Sequence, residues 1–150
     1  MAYDMSDDAE GTAQTRPRPE PDADTSFFWD AAGEGQLVLQ RCPSCRNLQY
    51  PPDVVCVYCQ SLDLVPERLS GRGTLYSFAV VRRAFHGGFV NHLPYVVGLV
   101  ELQEQPGLRM LTNIVEADLE RLQVGVALEV TFEQRGTVTL PQFRPAQGAS

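Results

Sequence analysis

Lysine is absent from this 150-residue sequence; all twelve basic residues are arginines. That excludes a lysine Schiff base or a lysine general base. Cysteine is absent outside residues 42–59, so no isolated thiol is left to act as a nucleophile. Histidine occurs twice, as His86 and His92, both in one loop-like stretch, and no Gly-x-Ser-x-Gly elbow is present. Gly71-x-Gly73 lacks the third glycine of a dinucleotide fingerprint, because Tyr76 stands in its place. No nucleophile, base and orienter can be assembled from what remains, so independent catalysis is not expected. There is no run of about 18 apolar residues to cross a bilayer. The acidic start, Met1-Ala-Tyr-Asp-Met-Ser-Asp-Asp, is not a signal peptide. A soluble, cytoplasmic protein with no membrane partner is the expectation.

The charge of −7 is unevenly distributed. Residues 1–25 hold seven acids and two arginines, a net charge of −5, which leaves −2 for the other 125 residues. This segment is rich in Pro, Ala, Thr and Asp and poor in large apolar groups, so it reads as a disordered acidic tail. The slightly acidic remainder has one adjacent arginine pair, Arg82-Arg83. Single-strand binders need a positive groove with stacking aromatics, so no nucleic-acid partner is expected, although a single-stranded nucleic-acid-binding protein is kept as a rival reading.

What is present is concentrated in RCPSCRNLQYPPDVVCVYCQS, residues 41–61. Cys42 and Cys45 form one Cys-x-x-Cys turn, Cys56 and Cys59 another, with ten residues between them. Two such turns facing each other present four sulfurs to one point, the tetrahedral set that suits zinc. A rubredoxin-type iron, and disulfide or thioredoxin-type redox pairs, are the rivals; a reducing compartment argues against the redox pairs. Four thiolates close the coordination sphere, so the Zn2+ is read as structural, lending folding energy to a unit with little core of its own. Arg41 and Arg46 flank the first knuckle and can offset its negative charge.

Around this window the pattern gives a mainly β chain in four parts: the tail 1–25, a helical arm and rubredoxin-like zinc ribbon at 26–67, a five-stranded OB-fold barrel at 68–145, and a tail at 146–150. Ser26 is placed to cap a short helix in which Phe27, Phe28 and Trp29 form much of a greasy side that must bury against this chain or a partner. A first barrel strand after Gly73 is expected to turn Leu75, Ser77, Ala79 and Val81 to one side and Tyr76, Phe78 and Val80 to the other. Further strands cover Tyr95–Leu102, Leu108–Val115, the stretch after Gly125, and Thr137–Phe143. A short helix capped by Asp118 is expected between the third and fourth. The loop Arg82–Pro94 holds Arg82, Arg83, Phe85, His86 and Phe89 around Gly87-Gly88. Two phenylalanines in a loop suggest contact with a partner, and an arginine pair suits a phosphate.

The order Phe28-Trp29, Cys42-Pro43-x-Cys45, Tyr50-Pro51-Pro52, Cys56-x-x-Cys59, Gly71-x-Gly73, Pro94-Tyr95-Val96-Val97-Gly98-Leu99-Val100-Glu101-Leu102, Gly125 and Phe143-Arg144-Pro145 resembles a known family. It is similar to the zinc-ribbon/OB-fold acyl-CoA-associated proteins, domain-of-unknown-function family thirty-five, over about residues 26–145. Arg46 and Val57 stand where Gly and Pro are often found. The resemblance implies an accessory subunit, without independent activity, of a thiolase-fold enzyme acting on acyl-CoA thioesters. A retro-aldol lyase of steroid side-chain degradation is the type it points to. It further implies a heterotetramer with two copies of each chain, acyl-CoA near the interface, and partner contacts from Phe27, Phe28, Trp29, Arg82, Arg83, Phe85, His86 and Phe89. A MaoC-like enoyl-CoA hydratase is the alternative partner that it implies.

Overall fold

The computed structural model describes residues 14–148. The first thirteen residues of the acidic segment lie outside the described residues, as do the last two of the chain. Among the described residues one α-helix, α1 (Ser26–Gly33), precedes eight strands. These are β1 (Val38–Arg41), β2 (Leu48–Gln49), β3 (Val65–Arg68), β4 (Arg72–Val81), β5 (Tyr95–Leu102), β6 (Arg109–Ile114), β7 (Ala127–Arg135) and β8 (Val138–Pro145). The first three make an antiparallel sheet in the order β2-β1-β3, and the last five close into a barrel in the order β4-β5-β6-β8-β7. A small ribbon sheet followed by a five-stranded closed barrel is the architecture expected of the sequence.

The helix starts one residue earlier in role than its composition suggests. Thr25 is the N-cap and Ser26 the first helical residue; Asp22 organises the entry by accepting from the backbone amides of Asp24 and Thr25 and from the Thr25 hydroxyl. Phe28 and Ala32, four residues apart, are the buried pair, while Phe27 and Trp29 pack at the edge of the core.

Strand β4 differs from a plain alternation. Leu75 pairs with Val100 and Ser77 with Leu99, so Tyr76 is an extra residue bulged out of the ladder. A one-residue bulge reverses the facing of all later positions in the strand. Phe78 and Val80 therefore join Leu75 against the core instead of opposing it. Tyr76 is turned outward, where the Arg109 guanidinium lies 3.6 Å from its ring centroid. The helix expected at Asp118 is a single hydrogen-bonded turn, with the amides of Arg121 and Leu122 donating to the Asp118 carbonyl. Leu122 is buried and Leu119 packs beside it, which keeps the expected inward side without a helix.

One apolar core runs through both sheets. Leu37, Leu39 and Leu48 of the ribbon belong to the same cluster as Leu69, Leu102 and Leu108 near the adjoining end of the barrel. Gln105 adds a polar link: its Oε1 accepts from the Leu48 amide at 2.8 Å and its Nε2 donates to the Leu48 carbonyl at 3.0 Å. A side-chain amide from the β5–β6 turn thus completes the backbone pairing of β2, which would otherwise be a frayed edge.

The barrel is completed at Phe143. Its side chain is fully buried, β6 meets β8 there through the parallel pair Ile114 and Phe143, and the Val115 amide donates to its carbonyl at 2.8 Å. Phe143→Ala is expected to cost about 3–5 kcal/mol, a large share of the ~5–15 kcal/mol available to a domain. Urea denaturation of the purified chain measures this; a loss under about 1 kcal/mol would mean that closure does not depend on that ring.

Candidate metal centre

Each knuckle is a tight turn held by two backbone bonds. In the first, the Arg46 amide donates to the Cys42 carbonyl at 2.8 Å and the Cys42 amide to the Asn47 carbonyl at 2.9 Å. In the second, the Gln60 amide donates to Cys56 and the Cys56 amide to Ser61, at 2.9 and 2.8 Å. The residue after each second cysteine must take a left-handed conformation, and Arg46 and Gln60 do so with φ of 66° and 64°. Glycine would occupy this region without strain; these side chains accept a cost of about 1 kcal/mol each. The turn geometry therefore survives the departure from glycine.

The four sulfurs lie within 4.8 Å of one another. Cys42 and Cys59 are 3.5 Å apart and Cys45 and Cys56 3.6 Å apart, and all four thiols are free. A disulfide requires about 2.05 Å, so these pairs are not bonded. A Zn–S bond of about 2.3 Å predicts a tetrahedral edge of about 3.8 Å, close to the observed spacing. The donor set thus fits a tetrahedral thiophilic ion.

Their electrostatics come from backbone amides and from the crowding of the sulfurs. The Cys45 amide, with help from Cys59, Ser44 and Cys45, overcomes desolvation and holds the Cys42 thiol down at about 6. The Asn47 amide and side chain likewise lower Cys45. At Cys59 the Ser61 amide also lowers the pKa, but the neighbouring Cys42, burial and the other two sulfurs outweigh it and push it up to about 12. Thiolates this close repel one another, and a dication among them relieves that repulsion. Arg41 does not supply the missing charge. Its guanidinium is bound to Glu67 across the β1–β3 pair and to the Arg46 carbonyl.

Composition gave no sign of the groups that hold the second knuckle in place. Gln40 and Gln49 face each other in register on β1 and β2, and both are buried. Gln40 receives the Asp53 amide at 2.9 Å and donates to the Asp53 carbonyl at 2.8 Å. Gln49 donates to Gln40 and to the Val55 carbonyl, and receives the Val57 amide at 3.0 Å. Two side-chain amides therefore clamp residues 53–57, the approach to Cys56. Both lie on the strand face opposite the core residues Leu39 and Leu48, so no alternation within either strand could have found them.

The other candidate residues fall into separate places. Phe28 is in the core, with its ring 4.8 Å from Trp29 and 5.8 Å from Tyr50. Phe27 and Trp29 are half-buried. In the Arg82–Pro94 loop, Phe85 is 87% exposed with Arg83 over its ring, whereas Phe89 stacks on Tyr95 at 5.1 Å. Arg82 and His86 are exposed, and His86 Nδ1 accepts from the Gly88 amide, capping a 3-10 turn over Gly87–His92. A surface that no motif suggested lies beside the metal centre: Val54, Val57, Tyr58, Leu62 and Val65 are all exposed.

Gln49→Ala is expected to raise amide hydrogen exchange at residues 53–57 at least tenfold while leaving β5 unchanged, because it frees a buried amide pair. Exchange read by mass spectrometry tests this; unaltered protection at 53–57 would show that the clamp is not needed.

Comparison with known proteins gives the same division of the chain. The model of the ChsH2 rubredoxin-like zinc ribbon domain matches residues 29–65, and that of the ChsH2 C-terminal OB-fold domain matches residues 66–133. The chain is 39% identical over 132 residues to a probable enoyl-CoA hydratase alpha subunit of Thermomonospora curvata, covering 87% of this chain and 40% of that protein. It is 35% identical over 115 residues to the 3-oxo-4,17-pregnadiene-20-carboxyl-CoA hydratase alpha subunit of Mycobacterium tuberculosis, covering 77% and 35% respectively. The chain thus spans roughly two fifths or less of each relative's length. A solved structure described as the Ltp2-ChsH2(DUF35) aldolase contains a chain similar to this one, at 36% identity and a TM-score of 0.75, covering 85% of this chain and 98% of that one.

Proposed function

The chain belongs to the ChsH2 (DUF35) family of zinc-ribbon/OB-fold proteins, and on that premise we propose that it is a non-catalytic accessory subunit of a thiolase-fold enzyme acting on acyl-CoA thioesters. The enzyme is a retro-aldol lyase of steroid side-chain degradation. The observation that carries this reading is the likeness to a chain of an aldolase complex over nearly that chain's whole length. The steroid assignment draws on the pregnadiene-carboxyl-CoA relative. A second reading, accessory partner of a MaoC-like hydratase, is favoured by the hydratase alpha-subunit relatives, of which this chain matches only part.

In this reading Cys42, Cys45, Cys56 and Cys59 hold zinc, which supplies no reaction chemistry and fixes the ribbon's surface. Partner contact comes from the exposed ribbon side chains Val57 and Tyr58, from Phe27 and Trp29, and from Phe85 at the loop tip. Phe28 supports Trp29 from behind instead of meeting the partner itself. Arg82, Arg83 and His86 sit on the same loop as Phe85, where the guanidinium groups can meet a CoA phosphate and the imidazole acts in positioning. Phe89 holds the loop to Tyr95. Closed symmetry gives two copies of each chain.

Metal and partner are tested separately. Elemental analysis should find about one zinc per chain, and Cys56→Ser should lose it and unfold the ribbon while most of the barrel's β signal remains. Iron, or reduced protein with no metal, would overturn the zinc assignment. In co-purification the chain should assemble two-to-two with a thiolase-fold enzyme and turn over no CoA ester alone. Tyr58→Ala and Phe85→Ala should each weaken that assembly at least tenfold. Capture of a MaoC-like enzyme instead would establish the second reading.

A further inference from the structure

The loop Arg82–Pro94 does not stand alone. Residues 14–18, Gln-Thr-Arg-Pro-Arg, lie across its 3-10 turn and against the β7–β8 hairpin. Neither Gly87 nor Gly88 has a positive φ, so backbone conformation does not require glycine at either position. Space does. A Cβ on Gly88 would sit 2.6 Å from the Arg16 amide nitrogen and from the Thr15 carbonyl, and one on Gly87 would strike the Gln14 side chain. A contact with backbone cannot be relieved by turning a rotamer, so Gly88 forms a bed shaped to a passing chain.

The same segment is latched electrostatically. Arg16 Nη2 is 2.7 Å from Glu133 Oε1, and Arg135 Nη1 donates to the Pro17 carbonyl at 3.2 Å. Glu133 is itself fixed: Gln142 donates to its Oε2 at 2.7 Å and Arg135 to its Oε1. Beside the latch lies an open cleft of about 350 Å³, with Arg16, Phe89, Tyr95, Ile114, Leu119 and Glu133 in its wall. The strap and the loop therefore form part of the wall of one cleft at the barrel.

We propose that residues 14–18 are a strap, seated on Gly87-Gly88 and latched by Arg16 on Glu133, which holds the Arg82–Pro94 loop against the barrel and walls one side of the cleft beside it. Release of the strap frees the loop and removes that wall. This goes beyond the accessory-subunit reading and stands on geometry alone, whichever enzyme the chain accompanies.

The test is amide hydrogen exchange on the full chain. Arg16→Ala should speed exchange across residues 87–92 about three- to fivefold, as loss of a partly exposed ion pair allows. Gly88→Ala should do so at least tenfold, because it displaces the strap's backbone. Protection in β5 should not change in either variant. Raising NaCl to about 0.5 M should move wild type toward Arg16→Ala and leave that variant where it is, since salt screens only the latch. Arg16→Ala alters the strap alone and decides the matter if Gly88→Ala does not fold. The proposal fails if Arg16→Ala leaves residues 87–92 within twofold of wild type, or if exchange rises equally in β5.

Discussion

Four sulfurs held within 4.8 Å of each other are a constraint before they are a site. Crowded thiolates repel, and the neighbouring sulfurs push the Cys59 thiol up while backbone amides hold Cys42 down. Closing the two turns on one point therefore needs a positive centre, and the rest of the ribbon is arranged for that closure. Cys42 comes directly after β1, Cys45 precedes the left-handed Arg46, and the Gln40–Gln49 clamp sets the distance of the second turn from the first. Gln105 then ties β2 to the barrel, so the position of the metal cluster relative to the β5–β6 turn is fixed through a few hydrogen bonds. Leu37, Leu39 and Leu48 carry the same linkage through apolar packing.

The cysteine cluster was the most legible part of the sequence because its information is local. Ligand type and spacing nearly determine the geometry, and even the non-glycine residues at 46 and 60 yield to it. Strand positions were legible for a related reason: β5 and β7 alternate within their own length. What escaped was information held between segments. The bulge at Tyr76 is defined by its pairing with β5, so no periodicity within β4 could reveal that Phe78 and Val80 turn inward. The Asp118 segment has a good cap, yet with only one turn between β6 and β7 there is no length over which a helix can propagate. Gln40 and Gln49 look like solvent-facing residues until β1 and β2 are paired and a loop is folded over them.

The acidic N-terminal segment shows where composition misleads in a different way. Low hydrophobicity means that a chain cannot fold by itself; it does not prevent docking on a surface that others have built. Residues 14–18 bring two arginines and a proline to a groove that supplies the Glu133 carboxylate, the Arg135 guanidinium and a glycine bed. Ordering such a segment costs less than ordering a free chain, since proline has already removed much of the backbone freedom. An acidic total also hid the two arginines, Arg16 and Arg18, that lie near the barrel.

The distribution of exposed apolar side chains bears on the accessory-subunit reading. Among the described residues, half of the large exposed hydrophobics lie between positions 54 and 65, in the segment that carries the second knuckle. A unit folded by burial must put such side chains inside, because apolar area is its main source of stability. A unit folded by metal coordination has no such need, and its valines and tyrosines are free to face outward. The ribbon can therefore combine a small interior with an apolar exterior, a combination that an unaided sheet of such short strands could not sustain. An apolar exterior on a rigid scaffold is what a permanent partner requires, and it is a liability for a chain that works alone. On the accessory-subunit reading a metal would contribute to function without touching a substrate, by stabilising a ribbon whose apolar surface is left for a partner to cover.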